Sequence, residues 1–518
     1  MRFTAHDWVA HHAHHRPDSP ALRCAEDGRS LSWAELEDRV GRLTSLLSAL
    51  GVTKGDRVAL IAENDPRVFE AQFAAMRLNA LFVPLNWRLT THEITEICRD
   101  STPRVMLHDD TWAATAAEVA ERASIPARLA WGTAGDGDWA GLDTAAHTPP
   151  TLDRQLDDLV HVLYTSGTTG RPKGALGSHA TLLWQALNTA HTTGYSQPGC
   201  HHLNPMPLFH AGGLNVMANP ILYFGGTVTT MTRFAPDLVL AAMADQTLPV
   251  THFSAIPLMY QAIADQPGFA EADLSGARHF IIAGAIATPE LLQLWADRDV
   301  PLQPQYGGTE MGPMATALDD ETALLGMAKL GSAGRKALHT DIRLVGADGV
   351  DVPDGEIGEI WLRGPSITVG YWGKPREDYF SGEWFRTGDA ASRDADGFYY
   401  LAGRTKEMYK SGGENVYPAE VENILSLHPA VADLAVVGVP DEKWGEVGMA
   451  VVVPQRGAGL TLEELHAFAG DQLARYKLPK HLVLVDELAR NVTGKVSRPE
   501  LRARYGPSPV VMQGSASP

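Results

Sequence analysis

The sequence predicts an α/β protein. It has a large N-terminal domain of two parallel-type α/β sheets plus a small antiparallel β unit, and then a smaller α+β C-terminal domain. Three observations point there. Up to about residue 310, short apolar runs alternate with helical periodicity, the pattern of strands joined through covering helices. Residues 174–232 pass without one Asp, Glu, Lys or Arg, which suits strands buried on both faces. Between about 325 and 400 the chain turns to short alternating strands split by Asp-Gly and Gly-Pro turns, and after Gly403 the pattern resets.

Taken in order, Val58–Ala62 and Arg104–His108 read as strands around the amphipathic run Val68–Leu78. Leu159–Thr165 is a strand that ends in a Gly/Thr-rich loop, and Thr181–Thr189 is a helix. Thr227–Met231, Val250–Ser254 and His279–Ala283 follow as strands, with helices at Pro236–Asp245 and Pro289–Arg298. Asp341–Val345 and Glu359–Arg363 belong to the antiparallel unit. Beyond Gly403, Pro418–Ser426 is helical and Ala432–Val439 and Met449–Pro454 are strands. Thr461–Tyr476 is a helix opened by Thr461, with Glu464 three residues later as a capping box. This span suffices for a separate domain. The tail Gly506–Pro518 is rich in Ser, Pro and Gly and is expected to be disordered.

Composition narrows the function classes. The 518 residues are 44% hydrophobic and 20% charged, as in globular proteins with large cores. The net charge of −19 argues against nucleic acid or an anionic membrane as the main partner. It leaves room for a local basic pocket that takes a phosphorylated ligand. Cys24, Cys98 and Cys200 are far apart with no paired spacing, and the N-terminus lacks an apolar signal core, so a cytoplasmic protein is expected. The uncharged stretch 174–232 is no membrane segment, because Gly, Pro, Asn and His interrupt each apolar run. His11, His12, His14 and His15 have helical metal-ligand spacing, but no carboxylate or Cys accompanies them, and a solvated helix face is expected.

The strongest local signal is Tyr164-Thr-Ser-Gly-Thr-Thr-Gly-Arg-Pro-Lys-Gly174. Hydroxyl donors, glycines and two cations follow a strand within eleven residues. Small residues let backbone N–H groups close on phosphate oxygens, while the hydroxyls and Lys173 add further donors. The register is not that of a Walker loop, and Pro172 interrupts the run.

With this loop the chain resembles the adenylate-forming enzymes, among them acyl- and aryl-CoA ligases such as fatty-acyl-CoA and feruloyl-CoA synthetases. Further motifs carry the resemblance in the family's order from about Trp33 to Leu501. They are Pro207-Leu-Phe-His210, Tyr306-Gly-Gly-Thr-Glu310, Trp384-Phe-Arg-Thr-Gly-Asp389, Gly403-Arg-Thr-Lys406, Ser411-Gly-Gly-Glu-Asn-Val-Tyr-Pro-Ala-Glu-Val-Glu422 and Asn491-Val-Thr-Gly-Lys495. The resemblance implies a carboxylic acid activated by ATP to an acyl-adenylate, followed by attack of the CoA thiol, with Mg²⁺. It implies an N-terminal domain over 1–403, a hinge at 404–406, a mobile C-terminal domain over 407–505 and a tail over 506–518. A homodimer is among the partners considered.

Residue by residue, the family's phosphate loop corresponds to Thr165, Ser166, Gly167, Thr168, Thr169, Gly170 and Lys173. Thr309 would touch the α-phosphate. Glu310 with Thr165 would hold Mg²⁺, a hard cation that prefers oxygen ligands. Gly284, Ala285, Gln305, Tyr306 and Gly307 would line the nucleotide, and Asp389 would accept from both ribose hydroxyls. Arg404 would reach the same ribose or a phosphate, and Lys406 falls at the hinge. Lys495 would contact the carboxylate and α-phosphate during adenylation and withdraw with its domain before the thiol arrives. Gly412 and Gly413 would leave room for the pantetheine arm, and Lys477 and Lys480 are candidates for CoA phosphates. His210 joins the catalytic set by its motif.

By the same resemblance the acid pocket is lined by His210, Phe253, Ala283, Gly284, Ala285, Gly307 and Gly308, with Met311 and Met314 near. No arginine offers itself for a second carboxylate, so a monocarboxylate with an apolar body is expected, fatty and aryl or cinnamic acids alike. Gly308 replaces a larger residue found in many relatives, and Ala283-Gly-Ala-Ile286 departs from the family's usual Gly-Gly-Ala-Pro. The alternative within the same chemistry is an acyl-AMP ligase that loads a carrier protein's phosphopantetheine.

Overall fold

The computed structural model describes residues 4–132, 138–148, 154–165, 172–193, 199–285, 287–318, 329, 331–412, 414–490 and 496–506. The chain forms two compact units, Met1–Ile342 with Leu362–Phe385, and Arg343–Trp361 with Arg386–Pro518.

The larger unit carries the two parallel-type sheets. The six-stranded sheet runs Ala127–Trp131, Val105–Asp109, Arg57–Ile61, Leu81–Leu85, Leu159–Thr165 and Lys173–Ser178. Its first five strands are parallel and the last pair is antiparallel. Valine, isoleucine and leucine face both sides of these strands, and helices Arg67–Arg77 and Thr91–Ser101 contribute to the apolar layers over it. Strand Lys173–Ser178 is not apparent in the sequence. Its residues, Lys173-Gly-Ala-Leu-Gly-Ser178, include two glycines and an alanine and lack β-branched alternation, and only pairing with Leu159–Thr165 reveals it. Gly177 is required there, because an added Cβ would lie 2.2 Å from the imidazole of His161.

The nine-stranded sheet has a parallel centre in the order Leu302–Tyr306, His279–Ile282, His252–Ala255, His201–Asn204, Thr227–Thr230 and Pro20–Cys24. Antiparallel strands close both edges. Helices Pro236–Ala244, Pro257–Ala264 and Pro289–Ala296 bury Val239, Tyr260 and Trp295 over it. The strands of the charge-free segment are thus sandwiched between apolar layers. The sheet also buries polar side chains, among them His201, His202, His252 and His279 on three neighbouring strands.

In the smaller unit, Glu414–Val416, Tyr409–Ser411, Gly445–Pro454 and Val431–Asp441 form an antiparallel sheet, and His481–Leu484 adds in parallel. Helices Pro418–Leu425 and Leu462–Ala469 cover one face, and Arg498–Tyr505 buries Leu501 on the other. The capping box of Thr461 and Glu464 forms as expected. The helix it opens is shorter than Thr461–Tyr476, because Gly470 turns to φ +47° and a single 3₁₀ turn follows. Among the described residues no helix is long and apolar enough to cross a membrane.

His11, His14 and His15 line an exposed face of helix Trp8–His15, whereas His12 turns inward and its Nε2 meets the Tyr223 carbonyl at 2.9 Å. No group of three or more His, Cys, Asp or Glu suited to a metal occurs among the described residues.

Candidate functional site

In the larger unit the site is built around the hairpin Leu159–Thr165 and Lys173–Ser178, whose last register pair is Thr165 with Lys173. Both residues therefore stand at the mouth of the glycine-rich loop. Ser166, Gly167, Thr168, Thr169 and Gly170 lie outside the described residues, as do Gly413 and Lys495. Glu310 comes from a separate 3₁₀ turn, Thr309–Met311, directly after strand Leu302–Tyr306. Thr165 Oγ1 donates to Glu310 Oε1 at 3.1 Å, and the Tyr371 hydroxyl donates to the same oxygen at 2.8 Å. Lys173 Nζ stands 4.6 Å from the ring centroid of Tyr379 and 5.7 Å from that of Tyr371, and the two rings are 4.4 Å apart.

Local sequence explains the tightness. Gly174 admits no side chain, since a Cβ would lie 2.4 Å from Val162, and its carbonyl accepts from Trp372 N. Gly307 is closer still: a Cβ would fall 1.7 Å from the Pro313 carbonyl oxygen. Gly312 takes φ +71° with Ser366 against it, which turns the chain back after Glu310. Gly308 meets nothing nearer than Met311 Cε at 3.5 Å, so a side chain is sterically admissible there.

Gln305 and Tyr306 lie buried at the end of their strand, and Gln305 Oε1 has no hydrogen-bond partner among the described residues. An acceptor buried in this way suits an amino or amide N–H of a ligand. Gly284 (φ +85°) and Ala285 follow strand His279–Ile282 on the same sheet. His210 caps the short helix Ala211–Leu214 by accepting from Gly212 N at Nδ1 (3.0 Å), so in the neutral ring the proton sits on Nε2. Met311 and Met314 are buried. Phe253 packs within the apolar core of the sheet. It is fully buried between Tyr260 and Phe280 at 5.5 Å from each, because alternation along His252–Ala255 turns it into the core.

In the smaller unit Asp389 lies inside strand Trp384–Arg393 rather than in a turn, paired in register with Arg404. The Asp389 carboxylate accepts from Arg404 Nε at 2.6 Å. Gly388 (φ +73°) shapes the approach: its N–H donates to Glu359 and its carbonyl accepts from Thr405 N–H and Oγ1. Lys406 is exposed in the following turn. Gly412 (φ +63°) lies beside the Trp444 indole, where a Cβ would approach within 2.8 Å, and its N–H donates to the Trp444 carbonyl. Lys477 is paired with the Glu420 carboxylate, whereas Lys480 is exposed.

One carboxylate with a hydroxyl beside it is a donor set that fits Mg²⁺, a hard cation that takes few protein ligands and fills the rest of its shell with water and phosphate oxygens. Tyr371, Tyr379 and Trp444 are missed by the sequence reading. A signal for the first exists in hindsight: Gly370-Tyr-Trp-Gly373 places two aromatics between glycines, a composition unsuited to a plain surface turn.

Comparisons with known proteins show the family. The family model of the AMP-binding enzyme matches residues 9–372, and that of the AMP-binding enzyme C-terminal domain matches 420–495. The chain is 41% identical over 501 residues to a feruloyl-CoA synthase from Amycolatopsis sp, covering 96% of this chain and 98% of that protein. It is 38% identical over 505 residues to an indoleacetate–CoA ligase from Aromatoleum aromaticum, covering 96% and 97%. The crystal structure of ATP-bound MatB from Rhodopseudomonas palustris superposes with a TM-score of 0.88 at 30% identity, covering 97% of this chain and 99% of that one.

Proposed function

The chain belongs to the AMP-binding, adenylate-forming enzymes, and from that premise we propose that it is an ATP-dependent acid–CoA ligase whose acid is an aromatic monocarboxylate of the cinnamic type. The observation that carries the proposal is the convergence of Thr165, Lys173 and Glu310 at the mouth of the glycine-rich hairpin. A carboxylate and an ammonium that both face Tyr371 suit a metal–triphosphate, which needs both. The aromatic acid is supported by similarity along nearly the whole chain to two ligases named for ring-bearing acids. The free space at Gly308 is in keeping with a bulky body.

In this reading Lys173 and the loop 165–170 hold the β- and γ-phosphates, and Thr309 holds the α-phosphate. Glu310 and Thr165 would hold Mg²⁺, which would supply positive charge against the phosphates. Asp389 accepts from the ribose hydroxyls, and Arg404, ion-paired to it, fixes its rotamer. Gln305 Oε1 and the backbone at Gly284, Ala285, Tyr306 and Gly307 receive the base. His210 presents Nε2–H toward the acid. The acid's carboxylate attacks the α-phosphorus, the bond to pyrophosphate breaks, and Lys495 steadies the oxygens that gather charge. The thiol of CoA then displaces AMP, passing Gly412 and Gly413. Residues 404–406 act as the hinge between a domain over 1–403 and one over 407–505, so Lys495 serves the first half-reaction and leaves before the second. The protein works in the cytoplasm, in keeping with three buried free thiols.

The test is pyrophosphate release with ATP and Mg²⁺ across fatty, benzoic, arylacetic and cinnamic acids, with and without CoA. Multiple turnovers with cinnamic acids and CoA are expected. Release that stalls near one equivalent despite CoA points to a carrier-protein acceptor instead. No release with any acid refutes the ligase reading.

A further inference from the structure

We propose that Tyr371 is a positioning residue for adenylation, holding the Glu310 carboxylate with its hydroxyl and the Lys173 ammonium, together with Tyr379, with its ring. The proposal rests on the ligase reading above and adds residues outside the glycine-rich loop and the Glu310 motif. An ammonium and a carboxylate in one small site attract each other, and an ion pair between them would have to be broken before either met its ligand. Here each charge has neutral partners. Glu310 Oε1 accepts from two hydroxyls, Thr165 at 3.1 Å and Tyr371 at 2.8 Å, while its Oε2 receives no hydrogen bond among the described residues. Lys173 Nζ faces the rings of Tyr379 and Tyr371 at 4.6 and 5.7 Å. Hydroxyl donors and π faces orient a charge without cancelling it, so the carboxylate keeps its charge for a cation and the ammonium for phosphate.

Tyr371 can position these groups because its own backbone is fixed. It forms an isolated bridge with Ala175, and on either side Leu176 N donates to the Gly370 carbonyl (3.0 Å) and Trp372 N to the Gly174 carbonyl (2.8 Å). Thr368 Oγ1 donates to the Leu176 carbonyl (2.8 Å), and its N–H donates to the Glu310 carbonyl (2.9 Å). The next side chain anchors the segment from outside: Trp372 Nε1 donates to the Asp100 carbonyl at 3.1 Å, under the Arg57 guanidinium at 5.0 Å. The phenol is therefore referenced to the same hairpin that carries Thr165 and Lys173. Glu310 arrives from another element and is brought into register with Thr165 and Lys173 through this hydroxyl.

The test separates the two halves of the role. Tyr371→Phe keeps the ring and deletes the hydroxyl. Titration calorimetry with a non-hydrolysable ATP analogue, in Mg²⁺ and in EDTA, is expected to show the magnesium-dependent gain in affinity reduced about tenfold, with affinity in EDTA unchanged. The kcat for adenylation falls by a similar factor while KM for the acid holds. Tyr379→Leu leaves Glu310 held and loosens Lys173, so nucleotide affinity falls about fivefold with and without Mg²⁺. If Tyr371→Phe retains the wild-type magnesium dependence and kcat, the positioning role is overturned. If Tyr379→Leu retains wild-type affinity, the lysine half is overturned; this holds even where Tyr371→Phe fails to fold. A wild-type protein that binds the analogue with a magnesium gain yet releases no pyrophosphate with any acid refutes the ligase reading and leaves the binding test standing.

Discussion

Acidification from pH 8 to 5 should unfold the larger unit through its buried histidines. Burial pulls His161, His179 and His201 down to about 4 and His202 to about 3, from an ordinary 6.5. The sign follows from linkage. Above pH 6.5 these rings are neutral in both states and contribute nothing. Below it the unfolded chain binds protons that the folded chain refuses, so stability falls until the folded values are reached. Each ring then costs about 1.4 kcal/mol at pH 5.5 and about 2 kcal/mol at pH 5, together about 6 and about 8 kcal/mol. Asp109 works the other way. Burial pushes its carboxyl up to about 6, so the folded state takes a proton first, returning about 0.8 kcal/mol at pH 5.5 and about 1.4 kcal/mol at pH 5. The net loss of about 5 kcal/mol at pH 5.5 lowers Tm by about 6 °C in a unit of this size, and the loss at pH 5 rivals the whole stability of many domains. Thermal scans followed by circular dichroism from pH 8 to 5 would measure it. His179→Gln should take about a quarter off the slope. Stability that stays flat or rises between pH 6.5 and 5.5 refutes the reasoning.

Other outcomes follow from the site. Gly307→Ala forces a Cβ to within 1.7 Å of the Pro313 carbonyl, so the turn that carries Glu310 must shift; nucleotide affinity should drop at least tenfold, read by calorimetry, and unchanged affinity would show the turn to be slack. Gly308→Trp should shift acid preference to smaller acids by tenfold or more in kcat/KM, because its Cβ site is open; an unchanged profile removes Gly308 from the pocket wall. Asp389→Asn should raise KM for ATP about tenfold and narrow discrimination against 2′-deoxy-ATP, and equal losses for both nucleotides would take Asp389 off the ribose. Lys495→Ala should abolish adenylation and spare thioester formation from supplied acyl-AMP, whereas equal loss of both half-reactions contradicts domain alternation.

Much of the architecture was legible along the chain because it rests on periodicity, which is local. Apolar runs such as Val58–Ala62 and His279–Ala283 became strands within a residue or so, and the lack of charge over 174–232 announced a parallel sheet covered on both faces. The ordered motifs announced the family for a related reason: phosphate and metal chemistry demand particular residue types close together. Lys173–Ser178 escaped notice because a strand of small residues is stabilised by its partner rather than by its own propensity. The aromatic neighbours of Phe253 were not legible because a residue in a doubly covered strand can face either layer, and alternation alone does not say which layer holds the core aromatics.

The sequence by itself determined the chemistry available: a glycine-rich phosphate loop, a carboxylate, an aspartate, an arginine and a lysine near the end. The tertiary structure alone decided what stands beside each charge. Glu310 and Lys173 are 137 residues apart, and Tyr371 lies 61 residues beyond Glu310. No local rule joins them; the close approach of Gly370–Trp372 to the hairpin does. Side-chain partnership across such separations depends on which surfaces pack together, and packing is a property of the whole unit.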